Sequence, residues 1–394
     1  MVVFSMDLVE RDWRWNRVRA EMRARGIDLL IALPESNPTD VLYLANEPGA
    51  VLFPLEDDPV ILLGGEGSGL AADREGWIAQ RESATEFSSN KVPYGAVVAA
   101  KLRATRRGTG RVALAGLDGN DYSHVRSADG YVIHSTVARI MEALADAEVV
   151  DGSPVMAAAR QVRSEAEITM LREGIQVAEA GARAIGEAFR IGTKQADAYR
   201  AGVTAMMQPG LQVPSIAWCP GNWGTPRPRL LGVPTGTVTD GLCVAAEIMP
   251  GYPGMVQIAE PFIAGRIRPE QRTEFELNIA GFEAARTALV PGATWRTVRK
   301  AVLDVAAGTE YSMCFLLHGG WDGPLFVPNE VPEAVLDDTV KAGSVFICKP
   351  TSWPAASGRW NARSYDVSWG DMLVVREGGA ERLGTRPQQL ISYA

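Results

Sequence analysis

Histidine is scarce in this 394-residue sequence: His124, His134 and His318 are the only three, and no two are close enough to form a ligand motif. A histidine-rich metal centre is excluded on that count. The four cysteines, Cys219, Cys243, Cys314 and Cys348, are too widely spaced for a CxxC zinc site or a redox pair. Their apolar surroundings read as reduced, buried thiols, as expected of a cytoplasmic protein. No segment approaches the roughly 18 uninterrupted apolar residues of a membrane span, and the opening MVVFSMDLVERDWRW has no apolar leader core. Basic stripes are missing too. With 39 Lys and Arg against 47 Asp and Glu, a net charge of −8 and no long like-charge run, nucleic acid is not an expected partner.

What is present is an ordinary globular composition, 46% hydrophobic and 22% charged, long enough for two or three domains and a core that needs no disulfide or metal. The first 150 or so residues alternate helical and strand patterns. Asp12 to Arg25 predicts an amphipathic helix stopped by Gly26, and a short apolar strand follows over Asp28–Leu33. Further strands are expected at Val51–Phe53, Val60–Leu63 and Val112–Ala115, with a helix over His134–Leu144. This alternation describes a small α/β domain.

A different pattern begins at Ser164. Ser164-Glu-Ala-Glu167 has the S-x-x-E form of a capping box, and Ile168, Leu171, Ile175, Ala178 and Ala182 follow at helical spacing. That helix closes at Arg190-Ile-Gly-Thr193 and a second begins. About a hundred positions later Phe282-Glu-Ala-Ala-Arg-Thr-Ala leads to Pro291-Gly-Ala-Thr294, and again a helix follows. The recurrence marks an internal duplication of a helix pair followed by Pro- and Gly-rich hairpins. Two such halves related by a pseudo-two-fold axis create a seam suited to a pocket.

At this level the chain resembles the creatinase/prolidase/aminopeptidase P family. Asn37-Pro-Thr-Asp-Val-Leu-Tyr-Leu44, Ala159-Arg-Gln-Val-Arg-Ser-Glu-Ala-Glu-Ile168 and Asp371-Met-Leu-Val-Val-Arg-Glu-Gly-Gly-Ala-Glu-Arg-Leu383 are similar to three family segments, in the family's order. The resemblance implies a creatinase-like α/β N-terminal domain over 1–155 and an α+β, duplicated "pita-bread" catalytic domain over 156–394. It also implies a homodimer in which the N-terminal domain closes the partner's pocket. The family's metallopeptidases hold two metal ions with two Asp, one His and two Glu. Here the corresponding positions read Glu247, Ile258 (or Gln257 if the register slips by one), His318, Lys349 and Gly370, just before the retained Asp371. An ammonium at a ligand position repels a cation, so a metal-independent protein without a cofactor is expected.

Creatinase is the family's precedent for losing the metals and remaining an enzyme. Glu260, thirteen residues after Glu247, stands where that pattern carries a guanidinium-binding Glu, whereas the creatinase base on the preceding hairpin has no counterpart here. Glu260, His318 and Lys349 are therefore the expected catalytic groups: Glu260 as base or cation anchor, His318 as general acid/base, and Lys349 as an electrostatic substitute for the metal. The plainer readings are an ion pair of Glu260 with Arg227 or Arg229, a buried neutral His318, and an inert Lys349–Glu247 salt bridge. Glu247, Arg227, Trp218, Trp223, Trp321, Trp353, Trp360 and Trp369 are expected to line the pocket, the tryptophans by stacking or cation–π contact or else by filling the core. Asp371 reads as a structural cap, with Arg363 and Asp366 as reachable alternatives, and His124 and His134 as surface or helix residues. The expected activity is hydrolysis or elimination at a C–N bond of a small polar molecule, possible substrates including cationic and amino-acid-like compounds. A non-catalytic binding or scaffold protein and an Xaa-Pro-type metallopeptidase are the alternatives.

Overall fold

The computed structural model describes residues 6–34, 38–63, 76–83, 92–105, 109–117, 132–207, 213–222, 230, 232–251, 256–319, 325–326, 336–357 and 367–393. Expectations for His124, Trp223, Arg227, Arg229, Trp321, Trp360, Arg363 and Asp366 lie outside these residues. The chain divides into two compact units at Ala166/Glu167. Among the described residues no helix is long and apolar enough to cross a membrane.

The first unit comprises α1 (Leu8–Ala24), β1 (Leu29–Ala32), α2 (Pro38–Ala45), β2 (Ala50–Pro54), β3 (Val60–Leu63), β4 (Gln80–Ser83), α3 (Tyr94–Thr105), β5 (Thr109–Leu114), α4 (His134–Ala143), β6 (Asp146–Asp151) and α5 (Ser153–Arg160). Its sheet has the order β4-β3-β2-β1-β5-β6. β1 and β2 are buried along their whole length, as continuous apolar runs covered on both faces should be. One apolar cluster forms between the sheet and α1, α2 and α5, and another beneath α3 and α4. The division falls later than the 155/156 cut expected from the sequence. Val155, Met156 and Ala159 of α5 belong to the first cluster, and Arg17 of α1 donates to the Ala159 carbonyl at 2.9 Å, so α5 is part of this unit.

The second unit runs through α6 (Glu165–Ala188, most of it beyond the division), α7 (Gln195–Met206), β7 (Ser215–Asn222), β8 (Leu242–Met249), β9 (Ile258–Ala264), α8 (Pro269–Ala288), α9 (Trp295–Asp304), β10 (Tyr311–Cys314), β11 (Leu317–His318), β12 (Leu325–Phe326), β13 (Val345–Cys348), β14 (Thr351–Pro354), β15 (Asp371–Arg376), β16 (Gly379–Arg382) and β17 (Ser392–Tyr393). The expected duplication extends to individual bonds. Gly192, between α6 and α7, donates to the Val238 carbonyl at 2.8 Å, and Val238 returns a bond to Thr193 at 2.9 Å. Gly292, between α8 and α9, donates to Val340 at 2.9 Å, and Val340 returns to Ala293 at 2.8 Å. Both glycines have positive φ, 92° and 83°, a conformation a β-carbon would strain.

Each half carries its own sheet, β17-β9-β8-β7 in one and β12-β11-β13-β15-β16 in the other. Among the described residues the two sheets meet at an isolated antiparallel bridge between Ala259 and Gly370, with N–H bonds of 3.0 and 3.1 Å in each direction. Helices cover one face of this joined surface. Phe189, which follows α6, packs edge-on against Trp218 and at a tilt against Phe262 of β9, and Phe282 of α8 packs edge-on against Trp369.

Candidate functional site

The register fixes which side chains share a face. Glu247 lies opposite Ala259, Ala259 bridges to Gly370, and the β13–β15 register, continued by one residue past Cys348 and Asp371, sets Gly370 beside Lys349. Glu247, Ala259, Gly370 and Lys349 thus form one row across the seam. Its ends are about 14 Å apart at Cα, three strand spacings. The two middle residues carry a methyl group and a hydrogen, so nothing stands between the long side chains at either end. Lys349 and Glu247 meet there in a buried ion pair, 1% and 8% exposed. His318, opposite Ile347 and therefore on the same face as Lys349, is also buried.

Glu260 is on the other face. It lies opposite Ala246, one residue out of phase with Glu247, and among the described residues its ion-pair partner is Arg386. The electrostatic surroundings agree. Burial raises the Glu260 carboxyl from 4.5 to about 7, the nearby Arg386 opposes the rise, and Asp371 adds to it. Tyr393 is raised to about 12, first by burial and then by the charge of Glu260, and its ring packs against Phe189 and Phe262 on the helix-covered side. Glu260 therefore does not converge with His318 and Lys349. Strand alternation places it beneath the sheet.

The described tryptophans among those expected to line the pocket are core residues. Trp218, fully buried, donates its indole N–H to Gln195 of α7 at 2.9 Å and packs edge-on against Tyr199. Trp369, also fully buried, lies under the guanidinium groups of Arg382 and Arg386, each 4.8 Å from the ring centroid. Trp353 packs with Cys314 and Leu316. Odd and even positions of a strand separate pocket from core, and Trp218 and Trp369 fall on the core parity. All four cysteines are buried and in no disulfide, and burial pushes the Cys314 thiol up to about 12 and raises Cys348 as well. Asp371 accepts from its neighbour Met372 N and from Arg382 at 2.8 Å each, a structural role. His134 is exposed at the start of α4.

Sequence reasoning missed Arg386 altogether. It sits 126 positions from its partner, beyond the last long strand, and has neither periodicity nor a motif to mark it. Glu179, whose carboxylate receives the backbone N–H of Thr385 and Arg386 at 2.6 and 2.9 Å, was hidden in an ordinary amphipathic helix.

The fold and its seam define a pita-bread protein of the creatinase, prolidase and aminopeptidase P class. A family model described as metallopeptidase family M24 matches residues 156–377, and the chain belongs to that family. It is 26% identical to the uncharacterized hydrolase/peptidase y4tL of Sinorhizobium fredii, over 96% of this chain and 95% of that protein. Among solved structures it is similar to the prolidase from Pyrococcus horikoshii OT3, with a TM-score of 0.70 at 16% identity over 96% of this chain and 99% of that one. The Xaa-Pro dipeptidase from Bacillus anthracis gives 0.69 at 17% identity, over 97% and 99%. The residues at the family's metal positions do not fit a two-metal centre. Glu247 is already paired to an ammonium, Ile258 lies on the Glu260 face and offers no donor, Gln257 of the alternative register brings a neutral amide in place of a carboxylate, Gly370 has no side chain, and Lys349 is itself a cation. Among the described residues no three His, Cys, Asp or Glu side chains are grouped to hold a metal ion.

Proposed function

We propose that this hydrolase-like member of the M24 family works without metal, cleaving a C–N bond, by hydrolysis or elimination, in a small polar molecule. The observation that carries the reading is the buried Lys349–Glu247 ion pair, which spans the seam where the family's metallopeptidases hold their cations. A desolvated ammonium supplies positive charge for a developing oxyanion, as a metal otherwise would. Lys349 thus polarises the substrate carbonyl or holds its carboxylate, and Glu247 receives a cationic group such as an amine. His318, on the same face, takes or returns the proton. Glu260 has no direct part.

Metal analysis of the purified protein and activity after chelation test the metal claim, and stoichiometric bound metal would sink it. A thermal-shift screen against guanidino, quaternary ammonium, amino-acid and amide compounds tests the substrate class, since a ligand of the folded state raises apparent stability by mass action. The expected result is a shift abolished by Lys349→Met and by His318→Ala. The core positions of Trp218 and Trp369 favour a second reading, a binding protein in which the ion pair plugs the former metal cavity. Under that reading no compound in the screen is turned over. By the same family resemblance the protein is proposed to be a homodimer, which light scattering at working concentration tests.

A further inference from the structure

The seam has a second side. On the helix-covered face the guanidinium of Arg386 lies over the Ala259–Gly370 bridge and donates to both of its carbonyls, to Gly370 at 2.6 Å and to Ala259 at 3.3 Å. It also forms the ion pair with Glu260, the residue after Ala259, and stands 3.8 Å from the carboxylate of Asp371, the residue after Gly370. One side chain therefore holds matched groups from both halves of the duplicated domain.

Arg386 is itself held from both halves. Glu179 of α6 accepts its backbone N–H at 2.9 Å, and Arg382 of β16 donates to its carbonyl at 2.6 Å. Arg382 in turn donates to Asp371 at 2.8 Å. Burying a guanidinium is costly unless its charge is paired; here the Glu260 carboxylate and the two seam carbonyls receive its terminal nitrogens, while Nε has no hydrogen-bond partner among the described residues.

Across the sheet from this clamp is the Lys349–Glu247 pair. Lys349 belongs to one half and Glu247 to the other, each one strand outside the bridge. Their approach is therefore set by the register of Ala259 against Gly370, and a slip of one residue would turn a whole strand's side chains to the opposite face. We propose that Arg386 is a positioning residue: by clamping both carbonyls of the seam it holds Lys349 and Glu247 in contact on the far side of the sheet. The inference rests on reading that ion pair as the functional site. A lysine at 386 keeps the charge but not the planar fork that spans two carbonyls.

Competitive acetylation with acetic anhydride, read by mass spectrometry on the full chain, tests it through the reactivity of Lys349. In the wild type Lys349 is expected to label far more slowly than Lys101, Lys194, Lys300 and Lys341. Arg386→Met is expected to raise Lys349 labelling about tenfold, the scale of a coupled network losing a member, with the other four lysines unchanged. Arg386→Lys is expected to give an intermediate rise. A variant in the helical layer of the same unit, Val298→Ala, controls for lost stability alone and should leave Lys349 protected. Wild-type protection of Lys349 in folded Arg386→Met, or in Arg386→Lys should the first variant not fold, overturns the proposal. Glu247→Gln separates the underlying reading: if it leaves Lys349 as protected as before, the ion pair does not govern the lysine, and the site assignment fails independently of Arg386.

Discussion

Glu247 and Glu260 stand on adjacent strands of one sheet and face opposite sides of it. Glu247 reaches the Lys349 ammonium across the seam, whereas Glu260 is enclosed with Arg386 beneath it. The two carboxylates therefore differ in what they can be used for, and Glu260 gives stability a dependence on pH.

For Glu260 the sign follows from burial. Its folded value of about 7 lies above the ordinary 4.5, so the folded state holds the proton more tightly. The stability this contributes is fully present below about pH 4.5 and is lost as pH rises through about 7, a change of roughly 3 kcal/mol. Glu260→Gln cannot titrate. Urea denaturation of the wild type and this variant between about pH 5 and pH 8 should show a falling component in the wild type only. Parallel curves would place the Glu260 pKa elsewhere.

The Lys349–Glu247 pair should behave as a unit. Removing one partner leaves a buried charge without its counterion, so Lys349→Met and Glu247→Gln should each cost about 3–5 kcal/mol. The double variant Lys349→Met/Glu247→Gln leaves neither charge and should recover most of that loss, a non-additivity measurable by denaturation. Additive losses would mean that the two groups are solvated separately.

Much of this architecture is legible in the sequence because it is written in local periodicity. The α6 helix follows its S-x-x-E start, and the duplication is visible in the recurring helix ends that became Gly192 and Gly292. The site was only half legible. Lys349 and Glu247 could be set beside each other through the family positions. The face of Glu260 could not, because residues thirteen apart on a hairpin share a face or not according to one residue of register. Arg386 had no local signature, since its partners come from α6, β9 and β15 and are assembled only in the folded chain.

Trp369 illustrates the same parity for an aromatic residue. Its ring packs at 5.1 Å and 88° to Phe282 and lies under two guanidinium groups, with no exposed surface. Trp369→Phe should cost about 2 kcal/mol from lost packing and cation–π contact. It should leave unchanged any ligand-induced shift seen at saturating ligand. A change in ligand affinity with stability intact would move Trp369 from the core to the pocket.

Gly370 bears on whether a metal centre could be restored by side-chain exchange. A β-carbon added there would stand 2.7 Å from the Cys348 carbonyl oxygen and 3.0 Å from Lys349 Cα. Both obstacles are backbone atoms, so shortening or exchanging the Lys349 side chain does not remove them. Lys349→Glu/Gly370→Glu, which writes the family's two glutamates back into the chain, forces the seam strands apart and adds a carboxylate beside Glu247. The variant should lose about 1–3 kcal/mol from overpacking alone. Titration calorimetry with Mn²⁺ should then show no saturable stoichiometric binding. Tight binding by the folded double variant would show that the seam can widen to the metallopeptidase spacing, and that Lys349 alone had kept the metal out.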